Sequence, residues 1–368
     1  SGFTQDELPY VALAADLFGG LDTENYSYRE YDKAEHRFTG GITVTPTIFS
    51  KEDSEEICRT LLVEMPVMGK ENNDRAFALL EEQLLRTLWT DKERMQELIR
   101  IRYTSFAQQM VYAGNTYASE RALAKHNAAA YYRQAVSGLT YFRFLERLNQ
   151  HFSEEDRTKL EEVAHRLFSA PGRVINVTGH GKEGEVFLER AQQVVSAIPT
   201  TDTIEKVWTF VPARAAEAYS ATSDVQYNAV AAPFIKPESL HGSLFVLMNI
   251  LNNSLLYNEI RAKGGAYGQS ALFTTDGNVI MSSFRDPQLD ATYRVFADIG
   301  KAVSALSLTP KDIDRFVVGA VGQMDRPLTD EQKGRRDLLD FLRHRDIARE
   351  DRYLQEVLHT CAEDLRAW

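Results

Sequence analysis

Arg261-Ala-Lys-Gly-Gly-Ala-Tyr267-Gly268 is the centre of the stretch that decides how the second half of this chain folds. Upstream of it, Leu244, Leu247, Met248, Leu251 and Leu255 recur at helical spacing, which predicts a helix over 237–260 with one buried face, ending at Arg261. Gly264-Gly265 stops that helix, because glycine tolerates positive φ and is favoured just past a helix end. The chain can then reverse into a strand over 266–274. Asp276-Gly277 follows, a two-residue hairpin signal that returns the chain as a strand over 279–284. An arginine and a tyrosine are thus held six residues apart across a glycine turn, at a helix-to-strand junction. A guanidinium and a phenol so placed can be aimed at one small target.

From the N-terminus, 8–18 reads as a short amphipathic helix, with Pro9 suited to its first turn and Gly19-Gly20 closing it. A second short helix over 26–37 precedes a β-branched stretch, 42–49, that alternates like a strand; Pro46 inside it calls for an edge or a bulge. Local propensity at 56–67 fits helix or strand equally. Long helical patterns follow over 73–88, 91–127 and 128–152, the last with an aromatic stripe (Tyr131, Tyr132, Tyr141, Phe142, Phe144) of the kind that fills cores. Ser153 caps a further helix to Phe168; 173–178 reads as a short apolar strand and 185–198 as a helix. The pattern then loosens over 200–221, the expected linker. The second unit opens with a strand over 226–234. After the hairpin come helices over 290–306, 309–324 (Pro310 in its first turn), 329–344 and 349–368.

The expected fold is therefore α+β, in two related units over 1–199 and 222–368, each a mostly antiparallel sheet packed against long helices. With 368 residues the chain is long enough for two full cores. Its net charge of −11 argues against a surface that tracks phosphates, so no nucleic-acid partner is expected. Two cysteines, Cys58 and Cys361, make no disulfide framework and fit a reducing compartment. No stretch approaches the roughly 20 apolar residues of a membrane span, so no membrane partner is expected.

The eight histidines stand singly. Neither His-x-x-Glu-His nor His-Glu-x-x-His occurs, so no metal is expected in this chain; His165 and His180, each near glutamates, read as surface residues. Gly179-His-Gly-Lys-Glu-Gly184 fits a phosphate-cradling Gly-x-Gly-x-x-Gly, which leaves nucleotide binding as a weaker alternative. Glu183 and Glu185 would put negative charge where phosphate should sit, which favours an ordinary turn. No Gly-x-Ser-x-Gly is present. For Arg261 and Tyr267 the plain alternative is a helix-end arginine favoured by the dipole and an inward-facing strand tyrosine.

The octapeptide resembles the arginine and tyrosine motif in the C-terminal half of pitrilysin/insulinase-family zinc peptidases, specifically the presequence-protease branch. Glu7-Leu-Pro-Tyr10, Thr39-Gly-Gly-Ile42 and Ser283-Phe-Arg-Asp286-Pro resemble that branch too, in that branch's order, so the likeness spans most of the chain. It calls for a strand at 56–67. It implies that 1–199 is the third, non-catalytic domain of a whole peptidase, and that a further strand follows the second unit's helices beyond Trp368. It also implies that zinc lies in the N-terminal half, that this chain's partners are that half and unstructured peptides, and that the isolated chain is inactive. Tyr267 and Arg261 would then stabilise the tetrahedral intermediate, with Gly264, Gly265, Ala266 and Gly268 lining the peptide's path. The location implied is the bacterial cytoplasm or an organelle matrix. A non-catalytic binding or scaffold subunit of the same fold is the alternative.

Overall fold

The computed structural model describes residues 2–52, 56–67, 69–201, 204–220 and 222–368. It is helix-rich, with two small antiparallel sheets. The first unit is built around the helix Leu8–Leu17. This helix is not amphipathic as its spacing suggests: Leu8, Val11, Ala12, Leu13, Ala14, Ala15 and Leu17 are all buried. A helix apolar over most of its circumference, with Asp16 alone exposed, has to be enclosed. Strand β1 (Thr43–Ser50) and the helices Lys92–Tyr112, Ala128–Ser137, Leu139–Gln150 and Glu154–Arg166 enclose it.

Two ion-paired anchors tie the ends of this unit together. Glu7 accepts from Thr4 N, Lys159 and Arg166. Burial alone would raise the Glu7 carboxyl, but these donors outweigh it and hold it down to about 2. Tyr10 donates to Asp156 at 2.7 Å, and Arg147 reaches the same oxygen at 2.9 Å. Asp156 is also the third helical residue of a capping box with Ser153. Glu7-Leu-Pro-Tyr10 is thus an architectural clasp between the first helix and the one capped by Ser153.

β1 pairs with β2 (Ile57–Glu64), so the ambiguous 56–67 stretch is a strand. Pro46 faces Leu61 in a sheet of two strands, where each strand has an open edge and the missing N–H costs no ladder bond. The long helical patterns are interrupted at Ala113 and at Gly138. A Cβ at Gly138 would lie 2.6 Å from Gln134 Oε1 and 2.8 Å from its Cα. Residues 173–178, expected as a strand, join no ladder among the described residues, although their exposure alternates as a strand's would.

Of the linker, Asp202, Thr203 and Ala221 lie outside the described residues. The remainder, 204–220, runs extended and strapped to the first unit rather than loose. Trp208 is buried: its Nε1 donates to Phe3 O at 2.9 Å, its ring meets Tyr132, and the Arg59 guanidinium lies over it at 4.1 Å. Glu217 closes the strap on Arg121 at 2.7 Å, and that guanidinium holds its carboxyl down to about 2.

The second unit carries β3 (Ala229–Pro233), β4 (Gly268–Phe273) and β5 (Asn278–Phe284) in the order β3-β5-β4, all antiparallel. Alternation along β5 covers both faces of this sheet. Met281 enters the unit's own core, with Leu247, Ile250 and Phe316, while Ile280 enters a cluster with Leu123, Ala124 and Ala130 of the first unit. The helix Gly114–Leu123 therefore packs against β3 and β5. Tyr227 fills the gap beside Gly114, where a Cβ would fall 2.3 Å from its ring, and donates to Val111 O.

Candidate functional site at the glycine turn

The helix leading to Arg261 departs from the expected one. After a 3-10 turn, Pro237–Ser239, an α-helix runs over Ser243–Ile250, and the chain then winds as π-helix over Leu251–Leu255 and Tyr257–Lys263. A π turn closes on the fifth residue rather than the fourth. The buried positions accordingly become Leu251, Leu256 and Ile260, not the Leu255 of a 3.6-residue stripe. Asn253 Nδ2 donates to Asn249 O at 3.1 Å, occupying a carbonyl that an α-helix would give to a backbone N–H. The neighbouring Asn252 acts as a false strand: its Oδ1 accepts from Ala271 N at 2.6 Å and its Nδ2 donates to Ala271 O at 2.9 Å, which covers the edge of β4.

Gly264-Gly265 performs the reversal. Gly265 N–H bonds Arg261 O and Ala266 N–H bonds Ile260 O, both at 3.1 Å, with Gly265 at φ +81°. A Cβ on Gly264 would sit 2.5 Å from Ile260 O. Ala266 is buried and anchors the turn to the core. At Gly268 an added Cβ would find only ordinary contact, 3.5 Å from Phe284 Cβ. The hairpin loop is three residues, Thr275-Asp276-Gly277, rather than two: Thr274 and Asn278 still pair, and Gly277 at φ +82° makes the turn.

Tyr267 is 67% exposed, so the phenol is not an inward strand residue. Its backbone N–H points at Phe284 O (3.0 Å) and Arg285 O (3.3 Å), and its ring meets Phe284 edge-on at 6.0 Å. Arg261 is exposed in the last turn of the π segment and lies over the Tyr257 ring at 5.6 Å. No hydrogen bond or ring contact joins Arg261 to Tyr267, and no carboxylate among the described residues pairs with Arg261. The structure thus presents both side chains to solvent on one turn, each against its own aromatic neighbour. Ring partners Tyr257 and Phe284 escape a search for catalytic residue types; nothing in their spacing marks them.

Behind the turn sits a buried polar knot formed by the Ser283-Phe-Arg-Asp286-Pro motif. Ser283 and Asp286 are fully buried. Asp286 accepts from Thr292 Oγ1 (2.6 Å), Gln288 N (2.8 Å) and Asn228 Nδ2 (3.2 Å), and its backbone pairs both ways with Gln226 at 2.9 Å.

The other candidates lie elsewhere. Gly181 opens the helix Lys182–Ala197 with φ +54°, but the residues before it form no strand, and Glu183 and Glu185 occupy the first helical turn, so the phosphate-loop context is unmet. A cavity of about 340 Å³ at this turn is lined by Gly179, Gly181 and Gly184 together with Ile175, Val177, Leu188 and Glu185. Another, of about 280 Å³, is lined by His241, Gln355, Glu356, His359 and Asp364. Neither includes Arg261 or Tyr267. Among the described residues no group of three or more His, Cys, Asp or Glu could hold a metal ion, and no helix is long and apolar enough to cross a membrane.

Residues 1–148 match the family of domains associated with the C subfamily of M16 peptidases, and residues 216–368 match "PreP C-terminal domain". The chain is 26% identical over 333 residues to Protein HypA of Clostridium perfringens, covering 90% of this chain and 34% of that protein. It is 24% identical over 365 residues to Presequence protease 1, chloroplastic/mitochondrial, of Arabidopsis thaliana, covering 98% and 34%. It thus spans about a third of the length of these relatives. Among solved structures, the peptidase M16 inactive domain from Pseudomonas fluorescens superposes with a TM-score of 0.64 at 13% identity, covering 99% of this chain and 85% of that one. The periplasmic protease PqqL of Escherichia coli superposes at 0.58 and 13% identity, covering 100% and 39%. M16 peptidases pair two halves, and zinc belongs to the catalytic one. Both family models are of M16 peptidases and together match most of the chain, so the chain belongs to the pitrilysin/insulinase (M16) peptidase family, in its presequence-protease branch, as its C-terminal part.

Proposed function

We propose that this chain is the C-terminal half of a zinc metalloendopeptidase that degrades unstructured peptides, in which its two domains, 1–199 and 222–368, form the chamber wall facing a zinc-bearing N-terminal half. Arg261 and Tyr267 contact the peptide at its scissile bond. A tyrosine phenol donates a hydrogen bond to the oxyanion that develops on the attacked carbonyl, and a guanidinium holds a peptide carbonyl or its anion. Gly264 and Gly265 fix the turn that presents both; Ala266 seats it, and Gly268 leaves room for a peptide backbone to approach. When bound in the partner half, zinc would supply the activated water. An organelle matrix fits the Arabidopsis relative, whose name prints chloroplastic/mitochondrial, and the bacterial cytoplasm fits two cysteines that make no disulfide framework.

The observation that carries this reading is the exposure of the Tyr267 phenol on a turn whose N–H groups at 265, 266 and 267 are each hydrogen-bonded. A donor that must meet a transient charge has to be both accessible and held still. The isolated chain is expected to bind no zinc tightly and to cleave no peptide. Rejoined to its zinc-bearing half, Tyr267→Phe should lower kcat by about 10²–10³ with bound zinc unchanged. Unchanged turnover refutes the role and favours a scaffold subunit of the same fold.

A further inference from the structure

Arg285 and His344 are the non-glycine residues with positive φ among the described residues. His344, at φ +56°, closes the helix Asp330–Arg343, an ordinary place for a left-handed residue. No helix ends at Arg285, whose φ is +47°. This conformation costs a non-glycine residue stability and persists only where its surroundings impose it. They do so here: Asp286 next to it is locked in the buried knot, and Arg285 O accepts the Tyr267 N–H.

The turn at Arg285 changes where its side chain goes. Consecutive strand residues point to opposite faces, so an extended Arg285 would point away from Phe284. Instead its guanidinium carbon lies 5.5 Å from the Phe284 ring centre, and Tyr267 meets that same ring at 6.0 Å. The tyrosine ring and this guanidinium therefore meet one aromatic ring, whereas Arg261 lies over Tyr257. Arg102, Arg121, Arg133, Arg147 and Arg157 each hold a carboxylate. Arg285 is exposed, and no carboxylate among the described residues pairs with it. On a chain of net charge −11, an open guanidinium on the same ring as an exposed phenol forms a local site for an anion.

We propose that Arg285 is a substrate-binding residue of this site and grips a carboxylate of the bound peptide, its free C-terminus or an Asp or Glu side chain. The planar fork of an arginine suits a carboxylate in two-point contact. The proposal rests on the reading that Tyr267 faces the peptide.

The test uses this chain rejoined to its zinc-bearing half and unstructured reporter peptides in matched pairs: free C-terminus against amide, and internal Glu against Gln. Arg285→Gly removes the guanidinium and also relieves the left-handed backbone, so its melting temperature should equal or exceed the parent's. Its KM for the carboxylate-bearing member should rise about tenfold, toward that of the neutral member, with kcat retained. A loss confined to the amide pair identifies the terminal carboxylate; a loss confined to the Glu/Gln pair identifies a side chain. Arg285→Lys should recover only part of the preference. If Arg285→Gly leaves both KM ratios unchanged while Tyr267→Phe lowers kcat, this proposal is overturned and the peptidase reading stands. If Tyr267→Phe leaves kcat unchanged, the peptidase reading falls and the proposal with it.

Discussion

Replacing Asp286 by alanine tests whether the buried knot holds the turn in place. The carboxylate is fully buried and satisfies the Thr292 hydroxyl, the Gln288 N–H and one Asn228 amide hydrogen. Asn228 keeps Ser283 Oγ and Gln288 O as acceptors, so its loss is small. Thr292, itself buried, loses its acceptor in a space closed to water, while the N–H of the exposed Gln288 loses a part-buried one. An orphaned buried donor costs about 1–3 kcal/mol, so with Thr292 orphaned and a smaller loss at Gln288, Asp286→Ala should destabilise by about 2–3 kcal/mol, a sizeable share of the ~5–15 kcal/mol that holds a typical domain. Asp286→Asn keeps one acceptor and the shape, and should cost about 1–2 kcal/mol. Urea unfolding followed by far-UV circular dichroism gives the midpoints, and native-state hydrogen exchange at the Tyr267 amide reports the turn itself. An alanine cost below about 1 kcal/mol, or an asparagine variant as unstable as alanine, would refute the assignment of this carboxylate as the anchor of the turn.

Two further outcomes follow from the packing of the first unit. Gly114→Ala places a Cβ 2.3 Å from the Tyr227 ring, so it should destabilise by about 1–3 kcal/mol, and in combination with Tyr227→Ala the two changes should cost less than their sum; strict additivity in a double-mutant cycle would show that the ring does not fill this gap. The Glu7 carboxyl, held at about 2 against an ordinary 4.5, is favoured ionised in the folded state, so its contribution is present above about pH 4.5 and is lost as the pH falls toward 2. The melting-temperature gap between the parent chain and Glu7→Gln should therefore narrow from pH 5 to pH 3, where neighbouring carboxylates are common to both; a constant gap would show that Glu7 is not ion-paired.

Much of the second unit was legible because its signals are local. Gly264-Gly265 and Asp276-Gly277 mark places where only a few backbone conformations serve, and they read out as a turn and a hairpin whatever surrounds them. The capping residues Ser153 and Thr309 likewise announce their helices. Where the reading failed, a distant partner decides. The helix Leu8–Leu17 is buried over most of its circumference, Asp16 apart, because five other elements enclose it, which a single stripe does not reveal. The π winding before Arg261 moves burial from Leu255 to Leu256 through an asparagine side chain bonded to its own helix. Residues 173–178 have a strand's alternation but join no ladder among the described residues, since pairing is a property of two segments.

The candidate site divides in the same way. The order of residues alone determined that an arginine and a tyrosine would flank a glycine reversal at a helix-to-strand junction, because backbone preference over eight residues suffices for that. Only the tertiary structure decided that the tyrosine faces solvent and that Arg285 turns back onto the same ring. Those outcomes depend on Asp286, Thr292 and Asn228 meeting in the interior, and on Phe284 being offered from a neighbouring strand. Long-range burial sets the direction of a side chain, and no local pattern encodes it.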